Sequence, residues 1–177
     1  MSTPERGHPA GAAARITIRP AGAADFDALW PMLCDVIRAG ETYAIDPATS
    51  REAVRALWME APRATYVAEI AGEICGTFYI KTNQPGGGAH VCNAGFVVAG
   101  PARGQGLARA MCLHAQHAAR SLGYLAMQFN FVVETNAGAI ALWQRLGFKT
   151  VGRLPRAFRH PTAGLVDARV MYKWLDA

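Results

Sequence analysis

Hydrophobic positions along the chain switch between a period of two and a period near 3.6, and the switches divide it into elements. ITIRPA (16–21) reads as a short strand. Over 24–38 the apolar residues Phe26, Leu29, Trp30, Leu33, Val36 and Ile37 fall on one helical face. Asp25 or Asp27 occupies the first turn, where negative charge suits the helix dipole. GETYAIDPATS (40–50) is a loop, and Ser50 is a good N-cap for a second helix, REAVRALWME, which ends before Pro62. TYVAEI (65–70) and EICGTFYI (73–80) are strands joined by a tight Ala71-Gly72 turn. After the loop NQPGGGAH, VCNAGFVV (91–98) is a third strand of this block.

A helix follows over 106–122, with Leu107, Met111, Ala115, Ala118 and Leu122 at helical spacing and Gly123 as its C-terminal cap. LAMQFNFVV (125–133) alternates, with Met127, Phe129, Phe131 and Val133 predicted on one face and Gln128 and Asn130 on the other. Thr135 or Asn136 caps a further helix, AGAIALWQRL, which ends at Gly147. FKTVGRL and LVDARVMYKWL read as two last strands. The order is β-α-α-β-β-β-α-β-α-β-β. A strand-helix-strand unit implies local parallel pairing, and the hairpins imply antiparallel pairing. The expected class is therefore α/β (mixed α+β): one central mixed sheet with helices on both faces. The domain is expected over 15–177, behind a disordered Ala/Gly/Pro-rich tail at 1–14.

Composition narrows the function. A chain of 177 residues that is 51% hydrophobic forms one domain with a real core. No stretch approaches the ~20 apolar residues of a membrane span. The N-terminus has no continuous apolar run of a secretory signal, so the expected location is cytoplasmic. The net charge is +5, but the basic residues are scattered, which favours a small anionic ligand over nucleic acid or a membrane surface. The four cysteines form no CxxC pair and lie at no zinc-ligand spacing to a histidine, so no metal is expected.

The stretch GPARGQGLARA (100–110) carries the strongest chemistry. A strand ends at Val98, and Arg103-Gly104-Gln105-Gly106 leads directly into a helix. Helix N-termini offer unpaired N–H groups to an anion, glycines allow close backbone approach, and Arg103 and Arg109 add charge. A plain glycine-rich turn is the competing reading of this stretch alone. A P-loop is excluded because no lysine or hydroxyl follows Gly106, and the dinucleotide fingerprint fails at Arg109.

The pattern that fits is [RQ]xxGx[GA] over Arg103-Gly104-Gln105-Gly106-Leu107-Ala108. It resembles the acyl-CoA pyrophosphate loop of the GNAT superfamily, the GCN5-related N-acetyltransferases. Residues 136–148, NAGAIALWQRLGF, match that family's NxxAxxLYxxLGF with one change. The resemblance covers 15 to about 175 and extends to a bacterial subgroup with ETYA, GGGAHVCN, MQFNFVVETN and PRAFRH segments. It implies an enzyme that moves an acetyl group from acetyl-CoA to a primary amine of a small molecule. A protein N-terminal or lysine acetyltransferase, or a non-catalytic acyl-CoA sensor, are the alternatives, and a homodimer is possible.

By that resemblance, backbone N–H groups of Gln105, Gly106, Leu107, Ala108 and Arg109 bind the pyrophosphate. Phe96, Val97 and Val98 pair with the pantetheine amides, and this strand splays from the one at 125–133. Asn136 reaches the cofactor arm as well as capping its helix, and Trp143 packs beside the thioester. Relatives often place an acidic tyrosine at the Trp143 position. An indole cannot supply that proton, which leaves Tyr172 or Tyr124 as substitutes. The expected bases are Glu41, facing the acceptor by similarity, and His90, whose ordinary pKa of ~6.5 suits the task. Glu134 is a third candidate. Tyr43, Asn93 and Asn130 are expected at the acceptor end.

Overall fold

The computed structural model describes residues 15–175; the tail expected at 1–14 lies outside the described residues. The chain order is β1 (Ile16–Pro20), α1 (Phe26–Ala39), α2 (Arg51–Arg55), β2 (Ala64–Ile70), β3 (Glu73–Thr82), β4 (Val91–Val98), α3 (Leu107–Ser121), β5 (Ala126–Val133), α4 (Ala137–Arg145), β6 (Lys149–His160) and β7 (Gly164–Trp174). The succession of helices and strands is the one the hydrophobic pattern predicts. The seven strands form one sheet in the order β1-β2-β3-β4-β5-β7-β6. Every neighbouring pair is antiparallel except β4 and β5, which run parallel.

Each face of the sheet buries its own core. On one side Phe26, Leu29, Leu33 and Ile37 of α1 and Val54 of α2 pack with Trp58, Val67 and Val97. On the other, Leu107, Met111 and Ala115 of α3 and Ile140 and Trp143 of α4 cover Phe78, Ile80, Met127 and Phe129. The period-two alternation of β3 and β4 thus decides which cleft wall each side chain reaches. Phe78, Ile80, Ala94 and Phe96 face α3 and α4, and Tyr79, Lys81, Asn93 and Val97 face α1 and its loop.

Three details depart from the hydrophobic pattern. The second helix keeps Ser50 as its cap, with Ser50 Oγ accepting from Ala53 N–H, but α-helix gives way to a π-helical turn at Ala56–Glu60. That turn buries Trp58, whose indole N–H donates to Thr77 Oγ1 at 3.0 Å. β6 runs through PRAFRH to His160, past the end of FKTVGRL. β5 carries a bulge between Phe129 and Val132, so its alternation changes phase. Val132 takes the core place expected for Phe131, and Phe131 packs against Phe158 instead, ring centroids 6.1 Å apart.

Gly95 shows how tightly the α1 face is built beside the cleft. It pairs with Tyr79 across β3 and β4, and a Cβ at Gly95 would stand 2.6 Å from Tyr79 Cε1. The Tyr79 ring cannot yield freely, because Trp58 packs edge-on at 4.9 Å. Gly95→Ala is therefore expected to cost ~1–3 kcal/mol by overpacking. Urea unfolding checks it, and in a Tyr79→Ala background the same substitution is expected to cost under ~0.5 kcal/mol.

Candidate active site

β4 and β5 pair only at their beginnings: Val91 with Ala126, Cys92 with Met127, and Asn93 with Gln128. Beyond Asn93 the two strands part. The side chain of Asn93 sits in the fork, its Nδ2 donating to the Gln128 carbonyl at 3.0 Å while its Oδ1 accepts from the Tyr79 hydroxyl at 3.3 Å. The opening is a cleft of ≈ 1180 Å³ that passes through the sheet. Phe96, Phe129, Asn136 and Trp143 line it on the α3/α4 side. Asp35, Glu41, Tyr43, Tyr79, Lys81 and Asn93 line it on the α1 side.

Which β4 groups face the opening follows from register. Asn83 N–H donates to the Val91 carbonyl and Ala99 N–H to the Cys75 carbonyl, so the odd residues of β4 point their peptide groups at β3. Phe96 and Val98 therefore turn N–H and C=O toward the cleft. Val97 turns them to β3, where it pairs with Thr77, and its side chain joins the α1-side core. The Tyr43 hydroxyl, in the loop after α1, donates to the Phe96 carbonyl at 2.9 Å. Burial, chiefly, pushes the Tyr43 phenol above its ordinary range, and Tyr79 is raised by burial as well. Both hydroxyls stay protonated.

At the far end of β4 a short turn, Gly100–Ala102, leads to Arg103 and then to Gly104 and Gly106, with φ of 78° and 81°. Only glycine adopts such angles easily, and a Cβ on either would meet nothing within 4 Å, so the concavity above them is open. The first bond of the α3 ladder is Ala110 N–H to the Gly106 carbonyl at 3.0 Å. The N–H groups of Leu107, Ala108 and Arg109 precede the ladder, at the positive end of a 15-residue helix. Arg103, Gly104, Gly106, Leu107, Ala108 and Arg109 all line the cleft, as does Arg145 of α4. Gln105 does not. Its side chain turns back to donate to the Pro101 carbonyl at 3.1 Å, leaving only its backbone for the cradle.

Asn136 caps α4, with Oδ1 accepting from Ala139 N–H at 3.3 Å, and lines the cleft as well. Trp143 is buried between Phe96 and Phe129, each 5.1 Å away. Asn130 lines the α1 side and donates to Asn83 Oδ1 at 2.7 Å. His90 does not reach the cleft. It precedes β4 at the closed end of the fork, with its carbonyl taken by Leu125 and Ala126 N–H and its ring beside Trp174. Tyr124 is buried with its hydroxyl 2.7 Å from Thr82 Oγ1, and Tyr172 lines a separate groove; neither borders the cleft. Glu134 is clamped by Arg169, with oxygens at 2.7 and 2.5 Å. Asp35, Tyr79 and Lys81 also line the cleft though they belong to no motif, and His160, which ends the PRAFRH segment, joins them. Strand parity alone points to Tyr79 and Lys81.

The family model described as Acetyltransferase (GNAT) family matches residues 30–148. The chain belongs to that family. A solved GCN5-related N-acetyltransferase from Kribbella flavida is 45% identical, with 90% of this chain and 97% of that one covered and a TM-score of 0.86. The N-acetyltransferase aca1 of Schizosaccharomyces pombe is 38% identical over 98 residues, 55% of this chain and 47% of aca1. This chain thus spans about half the length of that curated relative. At 21% identity the fold is shared with yncA from Salmonella typhimurium, solved with its cofactor acetyl-CoA, at a TM-score of 0.78 over 93% of this chain and 96% of that one.

The Arg169 guanidinium, chiefly by hydrogen bonding, holds the Glu134 carboxyl below its ordinary range. A depressed carboxylate contributes stability that is present above its unfolded pKa of ~4.3 and lost as pH falls through the folded value. Glu134→Gln is expected to lower the melting temperature at neutral pH and to flatten its fall below pH ~4.5, measured by calorimetry across pH.

Proposed function

We propose that the protein transfers an acetyl group from acetyl-CoA to a primary amine of a small molecule by direct attack. One observation carries this reading: the cleft runs from a backbone anion cradle through a gap in the sheet, past outward-facing strand amides, to the Glu41 loop. The residues present fit the donor. The N–H groups of Leu107, Ala108 and Arg109, with the arginines beside them, would hold a pyrophosphate. Phe96 and Val98 would pair with an extended amide chain as with an added strand.

Bound there, acetyl-CoA supplies an acyl carbon that exchanges its bond to sulfur for one to the amine nitrogen, the thiolate leaving with the electron pair. The Phe96 N–H faces the cleft and would donate to the acyl oxygen as it gains charge. The Phe96 carbonyl, tied to Tyr43, fixes the next peptide plane and so anchors this stretch of β4 from its other side. Glu41, exposed at the acceptor mouth and without an ion-pair partner within 4.0 Å among the described residues, would take the proton the nitrogen sheds. Trp143 supplies no proton, and none is required of it, since a thiol of ordinary pKa ~8.5 departs as an anion.

The Trp143 indole, where relatives offer a phenol, also favours a second reading: an acyl-CoA sensor without turnover. Thermal shift and thiol release separate the two. Acetyl-CoA at ~100 times its Kd is expected to stabilise the fold by ~2.7 kcal/mol, and a panel of primary amines to release free CoA. Glu41→Gln is expected to keep the thermal shift and to lose at least ~10-fold in rate at neutral pH, recovering as pH rises and free amine accumulates. Stabilisation with no thiol release from any amine supports the sensor. An unchanged pH profile removes Glu41 as the base.

A further inference from the structure

The acceptor side of the cleft is lined by charge of both signs. Asp35, in the last turns of α1, and Glu41, just after it, bring carboxylates. Lys81, at the end of β3, brings an ammonium on the sheet side. Among the described residues, none of the three has an ion-pair partner within 4.0 Å. The Lys81 Nζ lies 5.4 Å from the centroid of the Tyr79 ring, which aims the stem along the cleft wall. A site for a purely cationic acceptor, a diamine for instance, gains nothing from an unpaired lysine.

The β6–β7 hairpin adds a second donor. Phe158 against Phe131 seats the hairpin over the bulged part of β5, and His160 beyond it lines the cleft. His160 Nδ1 accepts from the N–H groups of Thr162 and Ala163, each at 3.2 Å. With that nitrogen acting as acceptor, the ring proton of a neutral imidazole sits on Nε2. In that tautomer His160 has an Nε2–H to give, which suits an oxygen of the acceptor.

The spacing is set by β4. Lys81 pairs with Asn93, and the Tyr43 hydroxyl marks Phe96, three residues further on. That is ~10 Å along the strand, part of which the flexible lysine stem closes.

We infer that the acceptor is an amine that also carries a carboxylate, its nitrogen toward Glu41 and its carboxylate held by Lys81 and the Nε2–H of His160. This rests on the transferase reading above. It accounts for both signs of charge in one chamber, since charge-assisted bonds to a carboxylate are strong and directional.

The test compares amino acids with the amines left by their decarboxylation: leucine with isopentylamine, phenylalanine with phenethylamine, and glutamate with 4-aminobutyrate, where the ω-carboxylate remains. CoA release gives kcat/KM for each. In the first two pairs the amino acid is expected to exceed its decarboxylated partner at least 10-fold, while 4-aminobutyrate, which keeps a carboxylate, is expected to remain a substrate. Lys81→Glu is expected to lower that ratio at least 10-fold, and Lys81→Arg to keep most of it. His160→Phe is expected to raise KM for the preferred member with little change in kcat. Thermal shifts with each amino acid on the CoA complex supply a readout free of turnover. Acetylation that ignores the carboxylate, or a ratio indifferent to Lys81→Glu, overturns this inference and leaves the transferase standing. No CoA release from any amine overturns both.

Discussion

Everything at this site depends on one interruption of backbone pairing. Parallel β4 and β5 share three residue pairs and then separate, with the Asn93 amide at the parting. Buried peptide groups seldom go without partners. The separation therefore leaves cleft-facing groups of β4 that only solvent, a side chain or a ligand can satisfy. Tyr43 satisfies one of them, the Phe96 carbonyl. The rest would be free to pair with an extended chain of amides, as the proposed donor supplies. The bulge in β5 serves the same opening from the other side, because it re-phases that strand where it leaves β4.

The parting also divides the chemistry between two faces of one sheet. Phe96, Phe129 and Trp143 make an apolar wall on the α3/α4 side, and the anion cradle stands at the N-terminus of α3. Titratable groups gather on the α1 side, around Glu41 and Lys81. A donor held from one side and an acceptor entering from the other meet only where the sheet is open.

Much of this was legible in the chain. Helical and strand periods are strong signals over long segments, and they give the element order. The cradle was readable because its physical demand, two glycines at positive φ before a helix, leaves a compact mark in sequence. Asn136 as a cap was readable for a similar reason. What was not legible depends on long-range placement. His90 and Asn93 are three residues apart, yet one lies at the closed end of the fork and the other inside it, and nothing local separates them. Tyr79 and Lys81 reach the cleft through strand parity, which is no motif, and His160, though it ends the PRAFRH segment, reaches it through a hairpin overhang that the segment does not reveal. The Phe131 error came from the bulge: one extra residue inverts every later expectation along a strand.

In the proposed function the gap between β4 and β5 receives the donor as an added strand. Amide hydrogen exchange, followed residue by residue with and without acetyl-CoA, tests it most directly. The amides of Phe96 and Val98 are expected to exchange rapidly in the free protein and to slow at least ~10-fold with acetyl-CoA, while Val97, already paired to β3, changes little. Protection confined to residues 104–109, with Phe96 and Val98 unaffected, would contradict it.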